Sequence, residues 1–90
     1  MATLLVAYDL NVPGQRYAEL TEHLKSLGTW WHHLDSTWLI KTTHRPKELR
    51  DELRKYLDDG DELLVIDVSG RPGAWTGFNT RGSDWLKSNL

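Results

Sequence analysis

The chain is predicted to fold as an α+β sandwich of the ferredoxin-like kind, a βαββαβ unit with an antiparallel four-stranded sheet and a short C-terminal tail. Three observations predict it. Leu4 to Tyr8 and Leu63 to Ile66 are apolar runs of strand length, the pattern of strands buried on both faces. Two segments repeat apolar residues at helical spacing. Between those segments lies a stretch rich in Trp, Thr, His and Ile with only a tight break in it. Two helices cannot cover both faces of four strands, so they pack together on one face.

The first strand runs from Thr3 through Tyr8 and ends at Asp9, where Asn11-Val12-Pro13-Gly14 supplies turn chemistry. Tyr17, Leu20, Leu24 and Leu27 then recur three and four apart, which predicts a helix over Gln15 to Leu27. Gly28 occupies the position of a left-handed C′ residue. Thr29 to Leu34 and Ser36 to Thr42 read as a β-hairpin turning at Leu34-Asp35, with Trp38 and Ile40 on one face and Thr37, Leu39 and Lys41 on the other. Pro46 suits the first position of a second helix, in which Leu49, Leu53, Tyr56 and Leu57 form the buried stripe and a run of charged residues forms a solvated face. Asp58-Asp59-Gly60 ends it, and Leu63 to Val68 makes the fourth strand. Ala74 to Phe78 can add one short strand, and Ser83 can cap a last short helix through Trp85 and Leu86.

This order implies the spatial arrangement 4-1-3-2, with the first and third strands central and parallel. Asp9 is then expected beside Lys41, Thr42 and Thr43, with Thr29, Trp30 and Asp61 at the same end and Asp35 and Asp67 at the other. The helix-free face needs a cover, and a homodimer is the economical one for a chain of 90 residues.

Composition narrows the function. The length makes one domain, 1–90. Eleven Lys and Arg against thirteen Asp and Glu leave a net charge of −2, which argues against a protein that coats nucleic acid with a uniformly basic surface. With no Cys, thiolate metal sites are excluded. No apolar run approaches a membrane span and no basic leader precedes one, so a cytoplasmic location is expected. Five Trp against one Phe is the unusual feature, and a small domain need not bury every one of those indoles.

Candidate chemistry starts at Asp9. A carboxylate at a strand end can hold a divalent cation, or it can cap its own turn through the backbone nitrogen of Asn11 or a neighbour. Asp67 either pairs with a cation or blunts an edge strand. His32 and His33 point to opposite faces and cannot chelate one metal, and no His spacing fits a zinc site. Trp30 and Trp31 also point to opposite faces. An outward Trp30 beside Lys41 suits stacking on a base, and Arg71 and Arg81, flanking the Trp75 loop, suit phosphate; the alternative use of the indoles is in core and interface.

Val6-Ala7-Tyr8-Asp9-Leu10-Asn11, Ser26-Leu27-Gly28 with Trp30-Trp31, Leu34-Asp35-Ser36-Thr37-Trp38-Leu39-Ile40 and Trp85-Leu86-Lys87 resemble the small proteins of the SinR family. That family is similar to the CRISPR-associated spacer-acquisition proteins and to the VapD-type toxin ribonucleases. The resemblance implies a ferredoxin-like homodimer in which Asp9 of each protomer meets its symmetry mate and holds a magnesium ion for hydrolysis of RNA or DNA, with Tyr8 and Asn11 placing the water or the phosphate. It equally implies the alternative of a non-catalytic scaffold that binds nucleic acid, a small nucleotide or a protein partner in antiviral defence or anti-defence. The chain departs from the CRISPR relatives in its acidic balance and in carrying Trp38 where they have a Ser-x-Phe motif.

Overall fold

β1 (Ala2–Asp9), α1 (Tyr17–Lys25), β2 (Thr29–Leu34), β3 (Thr37–Thr42), α2 (Pro46–Leu53), β4 (Glu62–Asp67) and α3 (Thr80–Asn89) succeed one another, with a 3-10 turn at Arg54–Tyr56 prolonging α2. The computed structural model describes residues 1–11 and 17–90, so the expected turn at Val12-Pro13-Gly14 and helix start at Gln15 lie outside the described residues. α1 ends at Lys25, short of Leu27, where Ser26 and Leu27 take up the last carbonyls in a tight turn. α2 begins as expected, with Pro46 at its first position and the Glu48 carboxylate accepting the Arg45 N–H at 3.0 Å.

The sheet order is β2-β3-β1-β4, the same arrangement as 4-1-3-2 read from the opposite edge. Every pairing is antiparallel, including β1 with β3, which corrects the expectation that those two run parallel. The reason lies in the connections. α1 carries the chain back across the sheet, so β2 runs in the direction of β1, and the tight hairpin then reverses β3. Asp9 consequently lies at the end where Tyr8 N–H bonds the Ser36 carbonyl and where Glu62 begins β4. Lys41, Thr29 and Asp67 are at the other end. Asp67 ends an outer strand, and its carboxylate accepts both the Ser69 hydroxyl and the Ser69 N–H, which hold it below the usual carboxylate range.

Alternation of side chains divides the sheet into two faces. Leu4, Val6, Tyr8, Trp38 and Ile40 point to one, where Leu20 and Leu24 of α1 and Leu49 and Leu53 of α2 close over them. Burying one such Leu is worth about 2 kcal/mol, so this face is the larger part of the stability. The other face carries Trp31, Leu39 and Leu5, and it is covered in part by the chain itself. α3 is longer than the expected short helix and is capped by Asn79, whose side chain accepts the Gly82 N–H at 2.8 Å, rather than by Ser83. The 74–78 segment forms no strand; instead it lays Trp75 and Phe78 against Trp31, Leu39 and Leu86. The end of α3 is anchored to β1 through the buried Thr3 hydroxyl, which donates to the Asn89 carbonyl. Leu34, Leu64 and Ile66 on this face stay exposed.

Gly28 has φ +155°, not the left-handed helical value, and its requirement comes from a close approach: a Cβ there would lie 2.1 Å from the Lys41 carbonyl oxygen. Gly70, with φ +69°, faces open space. Gly28→Ala is therefore expected to lose about 3 kcal/mol of stability, from strain and overpacking together. Gly70→Ala should lose only about 1 kcal/mol, from its dihedral alone. Urea unfolding of both variants checks this, and equal losses would contradict the close-approach account.

Candidate nucleic-acid interface

Trp38 is fully buried, and its indole N–H donates to the Tyr8 hydroxyl at 3.1 Å. Two β2 side chains rest on it. The His32 ring stacks on it at 3.8 Å and 12°, and Trp30 leans against it at 5.5 Å and 51°. The His32 ring is pinned further by a 2.8 Å bond between its Nε2 and the Asp35 carbonyl. β2 is an outer strand, so Trp30 keeps 40 % of its surface exposed while its neighbour Trp31 is buried under Phe78. As expected, only one of the two indoles is inward.

A groove of about 640 Å³ wraps the free edge of β2. Trp30 and His32 line it on the helix-packed side of the sheet; Trp31, His33, Asn79, Arg81 and Trp85 line it on the α3 side. His33 is held flat on Gly82, where an added Cβ would meet its ring at 3.0 to 3.3 Å. No carboxylate lines this groove, although the chain is acidic overall. Lys25, in the last turn of α1, adds a second cation, its Nζ 5.3 Å from the centre of the Trp30 ring.

Of the residues expected to bind nucleic acid, Trp30 and Arg81 come together here. Lys41 does not join them: it pairs with Thr29 and Thr3 and so points to the other face from Trp30. Arg71 sits in the turn after β4, its N–H bonded to the Val68 carbonyl, and does not line the groove. Lys25 was not foreseeable, because helical periodicity marks it only as a solvated residue.

The Asp9 corner is separate, between β1 and the outer strand β4, away from the β2 edge. Asp9 is exposed and directly opposite Glu62, and both border a shallow depression of about 360 Å³ with Ala7 and Leu64. Asp9 does not hold the Asn11 N–H, and the neighbours that follow Asn11 lie outside the described residues. The Asn11 N–H is held by Asp61 at 2.6 Å, and the same carboxylate takes the Asp58 N–H at 2.7 Å. Asn11 thereby ties the end of β1 to the turn before β4. Tyr8, expected beside Asp9 in catalysis, points into the core. Burial pushes its phenol well above the ordinary value, with Tyr17 adding to the shift and the Trp38 bond opposing it. Among the described residues no three His, Asp or Glu side chains are grouped to hold a metal ion. Among the same residues no helix is long and apolar enough to cross a membrane.

One titratable cluster was invisible in the sequence. Glu52 of α2 lies between His23 of α1 and His44 of the β3–α2 connection, with each Nε2 at 3.1 Å from the carboxylate. Burial pushes the Glu52 carboxyl up, but the bonds from both imidazoles outweigh it and hold the group below its ordinary value. An ionised carboxylate only accepts, so each Nε2 donates, and Nδ1 is left to meet Tyr56 at 3.2 Å in His23 and Thr42 at 3.1 Å in His44. The hydroxyl–imidazole–carboxylate line through Thr42, His44 and Glu52 has the order of a catalytic triad. Thr42 is buried, however, and its hydroxyl also accepts the His44 N–H, so this line ties β3 to α2, while His23 on the same carboxylate joins α1 to α2.

Scans of the chain against protein-family models, curated proteins and solved structures gave no match. The likeness to the SinR family rests on the sequence motifs alone.

The Glu52 bridge makes a signed prediction. A depressed folded-state pKa contributes stability above the unfolded value, which is lost as pH falls through the folded one. Wild type should lose stability below the ordinary glutamate value of 4.5, and Glu52→Gln should flatten that part of the curve while lowering stability at neutral pH. Urea midpoints across this range test it; parallel curves for the two proteins would remove the bridge as a contributor.

Proposed function

We propose that this protein binds nucleotide units, free or within a single strand of nucleic acid, in the groove around the β2 edge, and that it does so without chemistry. The observation that carries this reading is the composition of the groove: an exposed indole, two imidazoles and an arginine, and no carboxylate, on a chain that is acidic overall. Stacking on an aromatic face is worth about 1–3 kcal/mol per base and tolerates any base, while a cation beside it takes the phosphate. The fold supports the same reading, since Trp38 fixes Trp30 and His32 from behind and spares the ligand the entropy of ordering them.

Titration with a short single-stranded oligonucleotide, followed by tryptophan fluorescence, tests it. Trp30→Ala should weaken binding by about tenfold or more. Arg81→Ala should reduce the slope of log affinity against log salt by about 0.7, one phosphate contact on a single strand. Full-strength binding by folded Trp30→Ala would refute the stacking site.

The facing carboxylates of Asp9 and Glu62 favour a second reading, the metal-dependent nuclease that the SinR resemblance implies. It needs a second copy of the chain to complete the ligand set, seated on the face where Leu34, Leu64 and Ile66 are exposed. Labelled single-stranded RNA, duplex RNA and duplex DNA, incubated with magnesium or with EDTA, discriminate the two. Magnesium-dependent cleavage abolished by Asp9→Ala would establish the nuclease; the groove reading expects intact substrate with both proteins.

A further inference from the structure

We infer that Lys25 is an exchangeable cover on the Trp30 ring, resting on the indole in the free protein and transferring to the ligand's phosphate when a base takes its place. The inference rests on the proposed nucleotide-binding role of the groove and adds to it a selection for phosphorylated ligands over neutral ones.

The Lys25 ammonium lies 5.3 Å from the centre of the Trp30 ring, within the range in which the ring quadrupole attracts a cation. Lys25 is exposed, and among the described residues no carboxylate is paired with it. The ammonium lies over the Trp30 ring, which is braced on Trp38; Lys25 itself is not among the residues that line the groove. A base that stacks there must displace the ammonium. Stacking is the stronger contact of the two at an exposed site, so the exchange runs forward. What becomes of the charge decides the selectivity. A neutral nucleoside displaces the ammonium into water and loses the cation–π contact with no return. A nucleotide brings a phosphate into the same neighbourhood, and the flexible four-carbon stem of lysine lets its point charge follow. The residue therefore penalises the nucleoside and favours the nucleotide, with no rearrangement of the backbone.

Calorimetry with adenosine and adenosine 5′-monophosphate on wild type, Lys25→Ala and Lys25→Arg tests the exchange. Removing the cover should tighten adenosine binding by about threefold, the reciprocal of an exposed cation–π contact. The same change should weaken the monophosphate by about threefold to tenfold, so the preference for the phosphorylated ligand falls by about tenfold or more. Lys25→Arg, which keeps a cation able to lie on the ring, should retain the preference. If wild type binds the monophosphate in a Trp30-dependent way and Lys25→Ala leaves the ratio of the two affinities unchanged, the exchange is wrong and the groove reading stands. If wild type binds neither ligand nor a single-stranded oligonucleotide, the groove reading fails and the exchange with it.

Discussion

The buried indole of Trp38 is the interaction on which the rest depends. It stands at the centre of the helix-packed face, with no exposed surface, and its one polar atom is satisfied by Tyr8 from the neighbouring strand. That bond lets a polar atom be buried without the cost of an unmade hydrogen bond. It also ties the Tyr8 side chain, next to Asp9 in the chain, into the core. On its outer side the same indole is the surface against which Trp30 and His32 are held. Core packing and the groove are thus two sides of one side chain, and the rigidity of the groove is inherited from the core.

The sheet's two faces are finished differently. The helix side is a closed apolar core. On the other side α3 and the 74–78 segment cover Trp31 and Leu39 but leave Leu34 of β2 and the outer apolar residues of β4 uncovered. The indole N–H groups of Trp31 and Trp85, both in that cover or beneath it, are buried without an acceptor among the described residues. The charge pattern follows the same division. Cations and imidazoles gather at the β2 edge, and carboxylates gather where β1 ends and β4 begins.

Much of the fold was legible because it is written in periodicities. Leu20 and Leu24 at helical spacing, and Trp38 and Ile40 at strand spacing, each reach the face their spacing requires. The direction of β3 relative to β1 is not carried by periodicity, because it depends on the crossings made by the connections, and it decides which residues neighbour Asp9. α3 was underestimated because its capping residue is Asn79, ahead of the Ser83 that looked like the start. The candidate site was legible in its residue types and not in its assembly. Trp30 and Arg81 are far apart in the chain, and Lys41 is separated from Trp30 by the alternation of the sheet rather than by distance along it. The convergence of His23 and His44 on Glu52, and of Lys25 on Trp30, comes from the packing of α1 against the sheet and α2, which no spacing rule encodes.

The most direct test of the groove is to watch the indole and backbone resonances of the isotope-labelled protein while an adenine-rich single strand is added. Binding in the groove predicts that the Trp30 indole signal moves first, accompanied by His32, His33 and Arg81, with Asp9 and Glu62 undisturbed. The largest changes at Asp9, Glu62 and Leu64, with Trp30 unmoved, would contradict it and place the nucleic acid at the carboxylate corner.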